Sequence, residues 1–192
     1  MSVDVAASYR HCGRIARREA RNFRYAFYLL PREQRRGMYA LYAFLRHVDD
    51  LADSAEPVDV RRRALADCRA SFERALAGTF DAPTLPALAD TIARYQVPPQ
   101  YLHDVLDGVE MDLVATSFRT FDELDVYCYR VASAVGLACI HIWGFRHERA
   151  LAAARDCGIA FQLTNILRDL KEDALRGRVY LPAEDFDRCQ YP

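Results

Sequence analysis

Apolar residues recur at intervals of three and four along almost the whole chain, and this spacing limits the possible folds more than any other feature of the sequence. Such a repeat places apolar side chains on one face of an α-helix, whereas a half-buried strand requires strict alternation. Proline and glycine lie mostly between these segments, where they end helices. The pattern therefore predicts an all-α fold. The expected helical segments run from the N-terminal region to Phe27 and then over residues 33–54, 60–77, 86–95, 99–115, 121–143 and 148–175.

The size and composition of the chain predict one folded domain over residues 1–192. Hydrophobic residues make up 52% of the 192 residues and charged residues 28%, which is typical of a folded domain with a sizeable core. The formal net charge of -1 gives no indication of a nucleic-acid partner. The last segment, 177–192, leaves the helical pattern without starting another core element. We therefore expect the domain to lack its C-terminal helices.

The cysteines and the N-terminus predict a cytoplasmic protein. The six cysteines lie far apart and show neither a C-x-x-C pair nor zinc-finger spacing, which favours reduced thiols. Asp4, Arg10 and Arg14 interrupt the N-terminal segment before an apolar run of the signal-peptide type can develop. The most apolar stretch, 131–145, is too short to cross a bilayer. Any membrane contact is expected to be peripheral, at the inner membrane.

A first acidic cluster lies near the end of the second helical segment. Asp49 and Asp53 are one helical turn apart and share a face, with Asp50 beside them. The simpler interpretation is a solvated acidic surface. Carboxylates at that spacing repel one another, however, and negative charge is unfavourable at a helix C-terminus, so a cation is expected to compensate them.

A second cluster consists of Asn165, Asp169 and Asp173, at positions i, i+4 and i+8 of one helix. The three oxygen-bearing side chains form one stripe, which follows an apolar stretch and is harder to explain as a solvated face. Hard oxygen ligands without His or Cys favour Mg²⁺ or Mn²⁺, and Mg²⁺ commonly completes its shell with water and substrate phosphates. The two stripes together predict a metal-dependent diphosphate site.

Arginine and apolar residues accompany both acidic stripes. Arg46, Arg168 and Arg178 lie close to them in sequence and can bind phosphate oxygens bidentately, although each alone is more often a surface residue. A metal-diphosphate site also needs a place for the organic part of its substrate. Ordinary core packing is the alternative for each candidate pocket residue: Phe23, Phe27, Tyr42, Tyr127, Val131, Val135, Leu137 and Phe161.

These motifs, in this order, resemble those of the squalene/phytoene synthase family over nearly the whole chain from about Tyr9. They are F-R-Y-A-F at 23–27, L-P at 30–31, Y-A-F at 42–44, R-x-x-D-D-x-x-D at 46–53, Y-C-Y-R-V-A-x-x-V-G at 127–136, Q-L-T-N-I-L-R-D-x-x-E-D at 162–173 and G-R-x-Y-L-P at 177–182. The resemblance implies a class I isoprenoid synthase fold, in which two aspartate-rich helices face a central cavity.

The resemblance also implies roles for individual residues. The implied metal ligands are Asp49, Asp53, Asn165, Asp169 and Asp173, of which the four aspartates are the catalytic residues. The implied substrate-binding residues are Phe23, Phe27, Tyr42, Arg46, Tyr127, Val131, Val135, Gln162, Arg168, Arg178 and Tyr180, with Asp50 and Glu172 as supporting carboxylates. The implied reaction joins two farnesyl or geranylgeranyl diphosphates head to head through a cyclopropyl diphosphate, giving presqualene diphosphate, squalene, dehydrosqualene or phytoene.

Two other interpretations stay open at this stage. A terpene cyclase shares the metal-diphosphate chemistry, but its resemblance would be confined to the acidic stripes, whereas the 127–136 motif belongs to the head-to-head branch. A non-catalytic helical assembly factor of the same family would have lost its aspartates. Asn22 replaces the small hydroxyl residue of several relatives, and there is no glycine-rich nicotinamide-binding motif. NADPH is therefore expected only if squalene is the product, and the oligomeric state is left open.

Overall fold

The computed structural model describes residues 4–20, 24–114 and 117–190, and these residues are helical with no β-strand among them. The all-α prediction is confirmed. The helices are α1 (Val5–Glu19), α2 (Arg24–Leu29), α3 (Arg32–Ala52), α4 (Val58–Leu76), α5 (Leu85–Tyr95), α6 (Gln100–Asp112), α7 (Phe121–Cys128), a π-helical segment called the π turn (Tyr129–Ser133), α8 (Ala134–Trp143), α9 (Arg149–Leu175) and α10 (Ala183–Arg188).

Three elements differ from the sequence-based expectation. The first expected segment contains two helices, α1 and α2, and the expected continuous helix over 121–143 contains the π turn. The short helix α10 was not expected at all, because its six residues carry no buried side chain and so leave no apolar repeat to detect. It begins directly after Pro182, whose fixed φ suits a helix start.

Contacts between Cα atoms divide the chain into two compact units. The first comprises Met1–Pro99 and Ala138–Phe145, and the second comprises Gln100–Leu137 and Arg146–Pro192. The grouping describes packing and not independent folding, so the single domain over 1–192 stays a prediction.

The first unit packs α1, α3, α4 and α5 around a core of large apolar side chains. Phe44 of α3 and Phe72 of α4 are almost fully buried, with ring centroids 5.2 Å apart. Gly37 lets α3 approach its neighbours closely, since a Cβ there would lie 3.0 Å from the Tyr95 ring and 3.2 Å from Ile142. The result is a rigid platform for the C-terminal half of α3, which carries the first acidic stripe.

The second unit has its own core, called the aromatic cluster. Its buried members are Phe118, Leu124, Tyr127, Cys128, Ile166 and Tyr180, with Met111, Val131, Ile159, Leu163 and Leu181 packed against them. The Tyr127 and Tyr180 rings are stacked with centroids 5.3 Å apart. The segment after α9 is tied down by backbone hydrogen bonds from Ala183 to Phe118 and from Glu184 to Arg119. These bonds hold the 178–182 segment against the cluster.

One helical stretch, Phe121–Trp143, is long and apolar enough to cross a membrane by length and composition alone. It is longer than the apolar stretch 131–145, which the sequence alone indicates to be too short to cross a bilayer. A core helix has the same composition, and 44% of the apolar window in this stretch is buried within the protein. Peripheral membrane contact and a cytoplasmic location stay predictions.

Candidate active site

The first acidic stripe is exposed at the C-terminal end of α3. Asp49 and Asp53 are both exposed, and Asp53 is the capping residue whose backbone N–H donates to the Asp49 carbonyl at 2.8 Å. No basic residue lies in the last turn of α3. Arg46 pairs with Asp50 at 2.6 Å instead, along the helix. Carboxylates and the negative end of the helix dipole therefore coincide here, an arrangement that a bound cation would stabilise.

Of the aromatic residues of the first unit that are predicted to line a prenyl site, the structure describes Phe27 and Tyr42. Phe27 is buried and contacts the rings of Tyr39 and Tyr42 edge-on, at 5.6 Å and 6.1 Å between centroids. Tyr42 is partly buried. Phe23 lies outside the described residues. Phe27 therefore belongs to the packed core between α2 and α3, and Tyr42 lies one turn before Arg46 at the edge of that core.

The second acidic stripe lies on the partly buried side of α9. Asn165, Asp169 and Asp173 are all partly buried, as is Gln162 on the same side of the helix. The intervening residues Leu167, Arg168, Lys171 and Glu172 are exposed. The burial pattern confirms that the three oxygen-bearing side chains share one face, as the spacing predicts.

Arg168 engages the central carboxylate of this stripe. Its Nε donates to Oδ1 of Asp169 at 2.7 Å and its Nη2 donates to Oδ2 at 2.5 Å. These hydrogen bonds hold the pKa of Asp169 below its usual value, so the carboxylate stays ionised. At this position of α9, the guanidinium offers hydrogen-bond donors for a phosphate, and the carboxylate offers oxygen ligands for a metal.

The donor chemistry of both stripes suits a hard divalent cation. The available groups are carboxylates and one amide, without competing His or Cys ligands. Among the residues that the structure describes, however, no three His, Cys, Asp or Glu side chains are grouped closely enough to hold a metal. Each stripe can supply part of a coordination shell, and Mg²⁺ would take its remaining ligands from water and phosphate.

Asp112 is a residue that the sequence analysis did not assign to the site. Its Oδ2 accepts a hydrogen bond from the Tyr127 hydroxyl at 3.1 Å, and its Oδ1 accepts one from the Tyr180 hydroxyl at 2.9 Å. Its backbone carbonyl accepts from Nη2 of Arg178 at 3.3 Å, and Nη1 of Arg178 lies 3.5 Å from the Tyr180 hydroxyl. Asp112 thus fixes three predicted substrate-binding residues at once.

Both phenols in this network remain protonated. Burial, followed by the nearby Asp112 carboxylate, raises the pKa of Tyr127 far above its usual value. The pKa of Tyr180 is raised by the same two causes in the same order. Protonated phenols keep donating to Asp112, so the network holds its geometry at neutral and moderately alkaline pH. The sequence alone could not assign Asp112 this role, because its two hydrogen-bond partners lie 15 and 68 residues away.

A pocket of about 540 Å³ opens next to this network, entirely within the second unit. Its polar side includes Asp173, Arg178 and Tyr180. The remaining lining is mostly apolar and consists of Ile166, Leu170, Ala174, Val179, Leu181, Asp185, Phe186 and Cys189. Charged and phenolic groups beside apolar side chains fit an amphiphile with an anionic head group.

The predicted positions of Val131 and Val135 are affected by the π turn. Both residues are partly buried, and Val131 packs against the aromatic cluster. The Ala134 N–H bonds to the Tyr129 carbonyl five residues earlier, so this turn contains one residue more than an α-helical turn. The α-helical spacing of 3.6 residues per turn therefore does not hold between the two valines.

An all-helical architecture with carboxylate stripes on α3 and α9 is the arrangement of an isoprenoid synthase fold. The family model for squalene/phytoene synthase matches residues 16–192. The chain belongs to the squalene/phytoene synthase family, as the motifs predict.

Relatives by sequence include phytoene synthases from bacteria and plants. The phytoene synthase of Mycobacterium tuberculosis is 40% identical over 186 residues, which are 97% of this chain and 61% of that protein. The 15-cis-phytoene synthase of Synechococcus elongatus is 35% identical, over 98% of this chain and 65% of that protein. The carrot (Daucus carota) chloroplast enzyme is 39% identical, over 93% of this chain and 46% of that protein. The chain therefore spans about half to two thirds of the length of these relatives.

Two solved structures resemble this chain over 98% of its length. Squalene synthase HpnC from Alicyclobacillus acidocaldarius superposes with a TM-score of 0.89 at 28% identity, and the chain covers 71% of it. A dehydrosqualene synthase in complex with ligand superposes with a TM-score of 0.87 at 30% identity, and the chain covers 66% of it. These superpositions confirm the isoprenoid synthase fold.

Proposed function

We propose that this chain forms the catalytic part of a prenyltransferase that condenses two prenyl diphosphates head to head through a cyclopropyl diphosphate intermediate. The observation that carries the proposal is the pocket in the second unit. Its Asp173, Arg178 and Tyr180 side offers groups for a metal-bound diphosphate, and its apolar lining offers space for a hydrocarbon chain. Relatives of this chain are phytoene, squalene and dehydrosqualene synthases, which supports the same assignment.

The chain's own residues would bind and orient the substrate diphosphates. Arg178 is held by the Asp112 carbonyl and directs its charge to the pocket, while Arg46 and Arg168 supply guanidinium groups at the two acidic stripes. Positioned positive charge favours departure of a diphosphate, because negative charge develops on the leaving group. The carboxylates and Asn165 would hold Mg²⁺ or Mn²⁺, which when bound would neutralise diphosphate charge.

Phytoene is the product we propose, from two geranylgeranyl diphosphates. The phytoene synthases named above are identical to this chain at 35–40% of the aligned positions, whereas the squalene and dehydrosqualene synthases are identical at 28–30%. Formation of phytoene needs no reductant, so NADPH would not be required. Product analysis after incubation with geranylgeranyl or farnesyl diphosphate, with and without NADPH, tests this choice. Squalene formation that depends on NADPH would contradict it.

The assignment of the acidic stripes can be tested by substitution. In the full-length enzyme, Asp49→Ala and Asp169→Ala should each lower turnover more than about a hundredfold, as removal of a key electrostatic group does. Asp156→Ala is the matched control, because Asp156 is an exposed carboxylate earlier on α9. Circular dichroism would verify that the variants keep their helices. Near-normal turnover of both site variants would refute the proposal.

The metal requirement has a direct binding test. A non-hydrolysable prenyl diphosphate analogue should bind tightly with Mg²⁺ or Mn²⁺ and weakly in EDTA, because clustered carboxylates repel a diphosphate without cations. Calorimetric titration of the wild-type protein measures both cases. Equal affinity with and without metal would refute the assignment of Asp49, Asp53, Asn165, Asp169 and Asp173 as metal ligands.

A further inference from the structure

Helix α2 carries large apolar side chains on its solvent side. Tyr25, Tyr28 and Leu29 occupy positions i, i+3 and i+4, so they share one face of this helix. They are 80%, 46% and 88% exposed, whereas Phe27, on the opposite face, is buried against α3. Large apolar residues at this spacing are typical of a helix face that packs against an apolar phase.

The end of α8 brings a further exposed aromatic side chain to the start of α3. Nε2 of Gln34, in the first turn of α3, donates to the Trp143 carbonyl at 2.9 Å. Nη2 of the next residue, Arg35, donates to the carbonyls of Tyr28 at 3.3 Å and Leu30 at 2.9 Å. Helix α2 and the end of α8 therefore flank the first turn of α3. The exposed fraction of Trp143 is 47%.

Two arginines accompany these apolar side chains. Arg32, the first residue of α3, is exposed, and the guanidinium of Arg35 lies 5.4 Å from the centroid of the Tyr28 ring. The carbonyls to which Arg35 donates are uncharged, so these hydrogen bonds leave its positive charge in place. The acidic residue of this turn, Glu33, already pairs with two other arginines, at 3.3 Å and 2.9 Å. The start of α3 is therefore positively charged.

Helix α3 separates positive from negative charge along its length. The first acidic stripe lies at its other end, and the helical rise puts Asp49 about 26 Å along the axis from Arg32. An anionic surface attracts the arginine end and repels the acidic end, so it would orient the protein. Trp, Tyr, Leu and Arg together suit a bilayer interface, where aromatic rings lie at the head-group level and arginines contact anionic lipids.

We propose that the start of α3 and its neighbours form a docking patch for a bilayer surface that contains anionic lipids. The docking patch consists of Tyr25, Tyr28, Leu29, Arg32, Arg35 and Trp143. Its apolar side chains insert among the lipid head groups, and its arginines bind lipid phosphates. This contact goes beyond the proposed function and suits it, because prenyl substrates and their hydrocarbon product partition into lipid.

Vesicle flotation of the full-length protein tests the docking patch. The wild type should bind vesicles of phosphatidylcholine with phosphatidylglycerol more tightly than vesicles of phosphatidylcholine alone. Leu29→Glu should weaken this binding about tenfold or more, because it removes inserted apolar surface and adds a negative charge. Leu175→Glu is the matched control and should bind like the wild type. Leu175 is 80% exposed at the end of α9 in the second unit, and its substitution changes the charge equally.

A second pair of variants tests the charge. Arg32→Gln should weaken binding to the anionic vesicles about fivefold and leave binding to the neutral ones unchanged. Arg63→Gln, which removes the same charge, is the control and should bind both kinds of vesicle like the wild type. Arg63 is exposed on α4, whose start lies at the far end of α3, because Nη1 of Arg61 donates to the Ala52 carbonyl at 2.7 Å.

Several results would overturn the docking patch. They are a wild type that binds neither kind of vesicle or both equally, and equal weakening by Leu29→Glu and Leu175→Glu. Self-association that Leu29→Glu abolishes, without an effect on vesicle binding, would assign the face to a second copy of the chain instead. Circular dichroism verifies folding, and Tyr25→Glu replaces Leu29→Glu if that variant does not fold. Flotation needs no turnover, so failure of the proposed function leaves these outcomes unchanged.

Discussion

Two residues illustrate how single side chains organise the second unit. Asp112 accepts hydrogen bonds from both buried phenols of the aromatic cluster, and its backbone carbonyl holds Arg178. Arg168 donates two hydrogen bonds to Asp169, and these bonds lower the pKa of that carboxyl and keep it ionised. The charged groups of Arg178 and Asp169 are thus each held in place by a neighbouring residue, and part of the surface of each stays available to a ligand.

Replacing Asp112 should destabilise the fold. Asp112→Ala leaves two buried hydroxyl donors without an acceptor, at a cost of about 1 to 3 kcal/mol each in the free energy of unfolding. Asp104→Ala, on the same helix, should cost less, because its partners Tyr129 and Gln100 are partly buried and exposed, respectively, and can bond to water. Urea denaturation measures both. Equal losses of unfolding free energy in the two variants would contradict the network. So would a loss in Asp112→Ala that is no smaller when Tyr127 is already replaced by Phe.

Removing the guanidinium from Arg168 should raise the pKa of Asp169. The low value results mainly from the hydrogen bond with Arg168, so in Arg168→Ala the pKa should return toward 3.8 and the carboxyl should become protonated at a higher pH than in the wild type. An NMR titration of the Asp169 carboxyl carbon follows this directly. Lys171→Ala, an exposed cation on the same helix, is the control and should leave the titration unchanged. An identical pKa in wild type and Arg168→Ala would exclude the ion pair in solution.

At the scale of the element, α7 and α10 show how the ends of short helices are fixed. The Thr120 hydroxyl accepts from the Glu123 N–H at 3.3 Å, and Oε2 of Glu123 accepts from the Arg119 N–H at 2.7 Å. Glu184, in the first turn of α10, accepts from the Phe121 N–H at 2.6 Å. The start of α7 is thus capped by its own residues and by Glu184, and this contact ties the short helix α10 to α7.

Loss of the Thr120 cap should lower stability. Thr120→Ala removes the side-chain acceptor for a backbone N–H and should reduce the free energy of unfolding by about 0.5 to 2 kcal/mol. Thr164→Ala is the control, since Thr164 is exposed within α9 and donates back to the Ala160 carbonyl at 2.7 Å, a bond that adds little to a helix. Chemical denaturation of the two variants measures the difference. Equal stability would mean that the contact with α10 suffices to hold the start of α7.

At the scale of the whole molecule, several buried ionisable groups stay neutral in the folded state. Burial raises the pKa of Cys12 and Cys68 from 9.0 to about 11 and that of Cys128 to about 12. Burial also raises the pKa of Tyr9, whose hydroxyl bonds to Asp90 and Thr91. These groups belong to both units, so the whole chain should respond to alkaline pH.

Stability should therefore fall as pH rises above about 9. Unfolded thiols lose their protons near their ordinary pKa of 9.0, whereas the folded ones keep them to about 11, so the unfolded state binds fewer protons in this window. By linkage, the free energy of unfolding then decreases with increasing pH. The contribution of the buried thiols to this free energy is fully present only below about pH 9. Thermal unfolding between pH 8 and 10.5 measures the slope. The slope should be smaller in Cys12→Ala and Cys68→Ala than in the wild type, and equal slopes would contradict this origin.

Local sequence pattern alone predicted the helical class and the carboxylate and amide composition of both acidic stripes. Helical spacing is a local property, so it placed Asn165, Asp169 and Asp173 on one face, and the motifs identified the family. Most helix bounds could also be predicted, because proline and glycine end helices through local backbone constraints.

Which distant residues meet depends on tertiary packing. The pairing of Asp112 with Tyr127 and Tyr180, the approach of Gly158 to Ser133, and the pocket beside Arg178 all join residues from separate helices. The π turn and α10 are likewise stabilised by contacts with other segments and not by their own periodicity. Such contacts depend on how side chains pack across helices, and a one-dimensional repeat carries no information about that packing.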